Sequence, residues 1–272
     1  MQEEIIQSVL DGKDTLALLP TGGGKSICFQ VPALTKDGIC LVVSPLIALM
    51  KDQVENLKER GLNAETLVSG MSKRAIDILL DNCIYGKVKF LYVSPERLKS
   101  ELFIVRLKKM NVNLIAIDEA HCISQWGYNF RPSYLEIINL REILPNIPIL
   151  ALTATATPKV VIDIQEKLGF KKPNVLQKSF KRDNIHYLVI NDEDKMGRTM
   201  KIIKKVPGTG IIYALNRKKT QEIAHFLQKR GISAEYYHAG ITPEKRSLIQ
   251  ADWSSNKTRI IVATNAFGMG ID

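Results

Sequence analysis

Cysteine is scarce in this 272-residue chain, and the few present lie far apart. Cys28, Cys40, Cys83 and Cys122 form no C-x-x-C pair. That spacing indicates neither a structural zinc nor a disulfide framework, and the expectation is buried free thiols. Long apolar runs are also missing. None approaches the roughly 20 residues needed to cross a bilayer, so no membrane association is expected. The N-terminus carries Glu3 and Glu4 where a secretory leader would be basic. Low-complexity tracts and fixed-period repeats are absent, which sets aside solenoids and repeat arrays. These absences point to a soluble, cytoplasmic protein, and a monomer is expected.

What is present is an ordinary globular composition with a basic excess. Hydrophobic residues make up 45% and charged residues 24%, enough for a real core. The formal net charge is +10. Residues 1–180 hold 22 basic and 19 acidic side chains, whereas residues 181–272 hold 16 and 9. The excess therefore sits mainly in the last third and suits a polyanionic partner. Length alone predicts two domains.

Short β-branched runs alternate with helical patterns throughout. Strands are expected over 15–19, 39–44, 65–69, 89–94, 114–117, 148–152 and 175–180, with helices at 2–10, 46–60, 73–83 and 159–168. The last helix has Thr157 as N-cap and Pro158 at its first position. Such alternation implies an α/β fold with a mainly parallel sheet covered by helices on both faces, and the continuous apolar run at 39–43 fits a doubly covered strand. A second unit, 181–272, repeats the grammar: strands at 185–190, 210–215, 234–237 and 259–263, helices at 195–205, 218–230 and 243–253. The expected domains are thus 1–180 and 181–272. The second ends soon after its last strand and is expected to be incomplete, with an unpaired edge and apolar surface near 259–264.

The most informative string is Leu16-Ala17-Leu18-Leu19-Pro20-Thr21-Gly22-Gly23-Gly24-Lys25-Ser26. A strand ends at Pro20, three glycines turn the chain, and a helix can begin after Ser26. This arrangement cradles a polyphosphate, because glycine lets backbone N–H groups approach phosphate oxygens closely. Lys25 would reach the β- and γ-phosphates, and the Ser26 hydroxyl would bind Mg²⁺. The apolar strand ending at Ile117 runs into Asp118-Glu119-Ala120-His121. A carboxylate at the end of a buried strand beside such a loop is where Mg²⁺ is held, which assigns Asp118 that role and Glu119 that of general base.

Taken together these motifs resemble the RecQ family of superfamily 2 DNA helicases. Thr21 to Ser26 resembles its motif I, Val43-Ser44-Pro45-Leu46-Ile47-Ala48-Leu49-Met50-Lys51-Asp52-Gln53 its motif Ia, and Tyr92-Val93-Ser94-Pro95-Glu96-Arg97-Leu98 its motif Ib. Asp118 to His121 resembles motif II, and Ala151-Leu152-Thr153-Ala154-Thr155-Ala156 motif III. Gly210-Ile211-Ile212-Tyr213 with Arg217 resembles motif IV, and Val262-Ala263-Thr264-Asn265-Ala266-Phe267-Gly268-Met269-Gly270-Ile271-Asp272 motif V. The resemblance implies two RecA-like domains, ATP and Mg²⁺ as cofactors, DNA as partner, and 3′-to-5′ unwinding in recombination and repair, with nucleoid association if the source is bacterial. It places Lys25, Asp118, Glu119 and His121 in catalysis. Nucleotide contacts would come from Gln2, Thr21, Gly22, Gly23, Gly24, Lys25, Ser26, Asp118, Gly270 and Asp272, and DNA contacts from Ser44, Arg97 and Arg217.

After motif II comes Gln125-Trp126-Gly127-Tyr128-Asn129-Phe130-Arg131-Pro132, which resembles the family's aromatic-rich loop. Trp126 and Phe130 offer faces for base stacking and Arg131 a cation for phosphate, against the plain alternative of two core aromatics. Gln2 has the right chemistry for the adenine edge, or is an exposed residue at a helix start. The family's motif VI, with its arginine finger, would lie beyond Asp272, so this chain is expected to hydrolyse ATP slowly. Two other readings stay open: a non-catalytic ATP- and DNA-binding fragment, and an RNA helicase.

Overall fold

The structure, a computed structural model, describes all residues except 69, 128–129, 180–183 and 269–272. It divides into two compact units, Met1–Arg182 and Asp183–Asp272.

In the first unit the strands are β1 (Thr15–Leu18), β2 (Ile39–Val43), β3 (Ala64–Leu67), β4 (Phe90–Val93), β5 (Val112–Ile117), β6 (Ile149–Thr153) and β7 (Val175–Gln177). They form one sheet in the order β3-β4-β2-β5-β6-β1-β7. Every pairing is parallel. The helices are α1 (Gln2–Leu10), α2 (Ile27–Leu34), α3 (Ile47–Glu59), α4 (Lys73–Tyr85), α5 (Glu101–Leu107), α6 (Ile138–Ile143) and α7 (Pro158–Lys167).

Alternation along each strand divides the core in two. Leu16, Leu18, Leu41, Val43, Ile115 and Ile117 face one layer of helices. Ala17, Leu19, Cys40, Val42, Leu114 and Ala116 face the other. Both faces are buried, which is why these strands read as unbroken apolar runs. The α7 N-terminus forms as its sequence requires: Pro158 needs no N–H partner, and Thr157 Oγ1 accepts from Val160 N. All four thiols are free and buried. Burial pushes Cys28 up to about 11, Cys83 up to about 12, and Cys40 higher still.

A buried ion pair ties the far ends of this unit together. Asp14, at the foot of β1, accepts from Arg141 at 2.7 Å, from Ile149 N at 2.9 Å and from Lys171 N at 3.1 Å. Asn174 donates to Ser8 Oγ, to Thr15 Oγ1 and to the Asp14 carbonyl. One cluster thus fixes α1, β1, β6 and the approach to β7.

The second unit contains α8 (Lys195–Lys205), β8 (Gly210–Tyr213), α9 (Arg217–Gln228), β9 (Ala234–Tyr237), α10 (Pro243–Ser254) and β10 (Ile260–Ala263). Its sheet is parallel, in the order β8-β10-β9. Two expectations are corrected here. Residues 185–190 form no strand: Tyr187, Leu188 and Val189 are at least 80% exposed, and no described strand pairs with them. β10 is not an edge but the central strand, fully buried between β8 and β9. Exposed apolar groups in this unit include Ile211 and Tyr213 on β8 and Leu215 just after it.

Candidate nucleotide site and aromatic loop

Parallel strands all end on one side, and in the first unit the glycine turn after β1, Ser44 after β2 and Asp118-Glu119 after β5 all lie on that side. The segment after β1 is the glycine turn. Gly22 and Gly24 hold φ of +73° and +74°, which only glycine adopts without strain. A side chain at Gly23 would meet the Pro20 carbonyl at 2.7 Å, and one at Gly24 would strike the Gln2 amide. Among the described residues the backbone N–H groups of Gly24, Lys25 and Ser26 make no hydrogen bond. They precede the N-terminus of α2, where the helix dipole favours an anion. The Ser26 hydroxyl does not cap its own helix. The cradle therefore fits a polyphosphate. Gln2 lies over it, donating to the Gly23 carbonyl at 3.1 Å.

Asp118 follows β5, and its N–H continues the ladder to the Val43 carbonyl at 2.9 Å. Its carboxylate is buried. Oδ1 accepts from Glu119 N at 2.9 Å, and Ser44 Oγ stands 3.5 Å from Oδ2. Burial, and then the Glu119 charge, raise the Asp118 pKa to about 6, against the pull of Lys25. A carboxylate left so short of positive charge fits a divalent cation, whose presence would restore the ionised form. Among the described residues no group of three His, Cys, Asp or Glu side chains gathers to hold a metal. One carboxylate with a hydroxyl matches the way Mg²⁺ is held when phosphates and water supply the other ligands.

Glu119 sits in the left-handed region at φ 48°, a conformation seldom taken by a residue with a side chain. Burial pushes its carboxyl up, but the His121 hydrogen bond and the Lys25 charge outweigh that and hold it below its usual range. His121 Nδ1 is 3.2 Å from Glu119 Oε2 and 2.9 Å from Thr153 Oγ1. Burial opposes a charged imidazole there, yet the Cys122 sulfur and the Glu119 carboxylate raise its pKa to about 9. Thr153, the last residue of β6, also accepts from Thr155 N. Tyr134, fully buried, donates its hydroxyl to the Asp118 carbonyl at 2.9 Å. Lys25, Asp118, Glu119 and His121 are thereby brought to one place.

The remaining predicted residues divide. Trp126 is 62% exposed, whereas Phe130 is half-buried. Arg131 holds the loop down by donating to the Pro45 carbonyl at 2.9 Å. Ser44 is buried against Asp118, and Arg97 donates inward to the Val68 carbonyl at 2.5 Å. Arg217 opens α9 in the second unit, where its charge lowers the pKa of His238 after burial has done so. Gly270 and Asp272 lie outside the described residues. Sequence reading missed Tyr134, which no local pattern marks. It also missed Lys159 and Lys167 of α7, whose ammonium groups lie 3.0 Å and 6.0 Å from the Trp126 and Phe130 ring centroids.

Residues 1–164 match the DEAD/DEAH box helicase family, and residues 194–272 match the helicase conserved C-terminal domain. The chain belongs to the DEAD/DEAH box helicase family. Within it the RecQ resemblance is borne out along the whole chain. It is 42% identical over 272 residues to a protein of Pasteurella multocida named ATP-dependent DNA helicase RecQ, covering all of this chain and 43% of the relative. It is also 42% identical over 276 residues to the probable ATP-dependent DNA helicase RecS of Bacillus subtilis, covering all of this chain and 55% of that protein. The chain thus spans about half the length of these relatives. The fold matches the helicase MrfA bound to DNA, with a TM-score of 0.78 at 18% identity, over all of this chain and 42% of that one. The expectation of an α/β chain with RecA-like parallel sheets holds. Among the described residues no helix is long and apolar enough to cross a membrane.

Proposed function

We propose that this chain is the motor portion of a RecQ-type, ATP-dependent DNA helicase that moves 3′-to-5′ on DNA. The observation that carries the reading is the convergence of Lys25, Asp118 and Glu119 at the end of one sheet, with Glu119 tied through His121 to Thr153.

In this reading the N–H groups of Gly24, Lys25 and Ser26 bind the β-phosphate, and the Lys25 ammonium reaches the γ-phosphate. Ser26 and Asp118 hold Mg²⁺, which supplies charge neutralisation on the phosphate oxygens. Ser44 acts on Asp118 rather than on DNA, and Tyr134 fixes the Asp118 backbone. Glu119 is ionised at neutral pH because His121 and Lys25 hold its pKa down, so it can orient water and accept its proton. Trp126 offers the stacking face for a DNA base, with Phe130 and Arg131 shaping the loop beneath it. Gln2 reads adenine after releasing Gly23, and Arg217 contacts the DNA backbone from the second unit. Gly270 and Asp272 are kept as nucleotide contacts on the motif V resemblance alone.

The reading as a non-catalytic fragment is not favoured, since the relatives are named as ATP-dependent helicases. Phosphate release from ATP, measured with and without single-stranded DNA, tests the proposal. Stimulation by DNA that Glu119→Gln abolishes while nucleotide still binds is the expected result. Turnover indifferent to both DNA and Glu119→Gln would overturn it.

A further inference from the structure

Although Trp126 is 62% exposed, its ring face is not open. The Lys159 ammonium sits over it, 3.0 Å from the centroid. Lys159 is the second residue of α7 and has no carboxylate partner among the described residues. Lys167, the other lysine that α7 turns toward the loop, is committed elsewhere: it pairs with Asp163 at 3.1 Å and donates to the Ile123 carbonyl at 3.3 Å. Of the two, Lys159 alone is held only by the aromatic ring.

We propose that Lys159 is a further DNA-contacting residue, a cation that covers the Trp126 face until a base stacks there and then turns onto the adjacent phosphate. The inference rests on the reading of the aromatic loop as a DNA contact. An exposed ammonium on an indole is a weaker interaction than a base stacked on the same face, so the base takes the ring. The displaced ammonium keeps a flexible four-carbon stem and a full charge, and a strand whose base lies on Trp126 brings a phosphate within its reach. In the absence of DNA the lysine covers an apolar face that would otherwise be bare. Because Lys159 stands two residues beyond Thr157, which caps α7 after β6, the exchange takes place at the start of the helix that follows Thr153.

The chain has two tryptophans, so a Trp253→Phe background leaves Trp126 as the sole indole reporter. In that background, Lys159→Gln should change the Trp126 emission before any DNA is added. Titration with labelled oligothymidylate over a range of salt should show several-fold weaker binding at low salt. The slope of log affinity against log salt should flatten by about 0.7, the loss of one phosphate contact on a single strand. Lys159→Arg should restore both. Trp126→Ala, measured by anisotropy of the same oligonucleotide, should weaken binding by about 5- to 100-fold. If Trp126→Ala weakens binding but Lys159→Gln leaves emission and salt slope unchanged, the role of Lys159 is overturned and the aromatic-loop reading stands. If Trp126→Ala changes nothing, the loop reading fails and the role of Lys159 fails with it.

Discussion

His121 Nδ1 and Thr153 Oγ1, 32 residues apart in sequence, lie 2.9 Å apart where β5 and β6 end side by side. The same nitrogen is 3.2 Å from the Glu119 carboxylate. A displacement of the segment after β6 therefore reaches the proposed general base through a single imidazole. Thr153→Val removes the hydroxyl but keeps the volume. It should cost about 1 kcal/mol of stability, leave ATP affinity unchanged and lower kcat several-fold. Steady-state kinetics check this; an unchanged kcat would show that the contact has no part in turnover.

The Asp14–Arg141 pair should be the costliest polar contact to break in the first unit. Both side chains are largely buried and their hydrogen bonds reach three separate segments. Asp14→Ala leaves the Arg141 charge uncompensated and should destabilise the unit by about 3–5 kcal/mol. Arg141→Leu with Asp14→Leu should recover the share owed to the unpaired guanidinium, but not the share owed to Ile149 N and Lys171 N, which lose their acceptor. Urea unfolding of the single and double variants decides it, and a loss under about 1 kcal/mol for Asp14→Ala would contradict the assignment.

Thiol reactivity offers a test of the core. Burial raises Cys28 to about 11 and Cys83 to about 12, so both are protonated at neutral and mildly alkaline pH. Only thiolate attacks an aromatic disulfide reagent. The native chain should react slowly, and all four thiols should react at once in concentrated guanidinium. Rapid reaction of a native thiol would show that one of these cysteines is not packed as described.

Much of this was legible in the sequence, because the elements that matter are specified locally. Gly22 and Gly24 mark their own turn, Thr157 and Pro158 mark their own helix start, and the run 39–43 marks a strand buried on both faces. What could not be read depends on contacts between distant segments. Tyr134 is an ordinary aromatic until the fold carries its hydroxyl to Asp118. Lys159 is an ordinary helix-start lysine until α7 is laid along the aromatic loop. The segment 185–190 has the composition of a strand, but a strand exists only with a neighbour to pair with, and composition does not name the neighbour. The same limit explains β10: sequence order made it look like an edge, while the crossovers place it at the centre of its sheet.

The central claim is that the turn after β1 and the carboxylates after β5 form one Mg-ATP site. Calorimetric titration of Mg-ATP into the wild-type chain, Lys25→Ala and Asp118→Asn tests it most directly. Lys25→Ala should weaken binding by about 1.5–3 kcal/mol, the worth of a charged hydrogen bond to phosphate. Asp118→Asn should reduce the dependence of affinity on Mg²⁺ while leaving the fold intact. Equal Mg-ATP affinity in the wild type and Lys25→Ala would contradict the account.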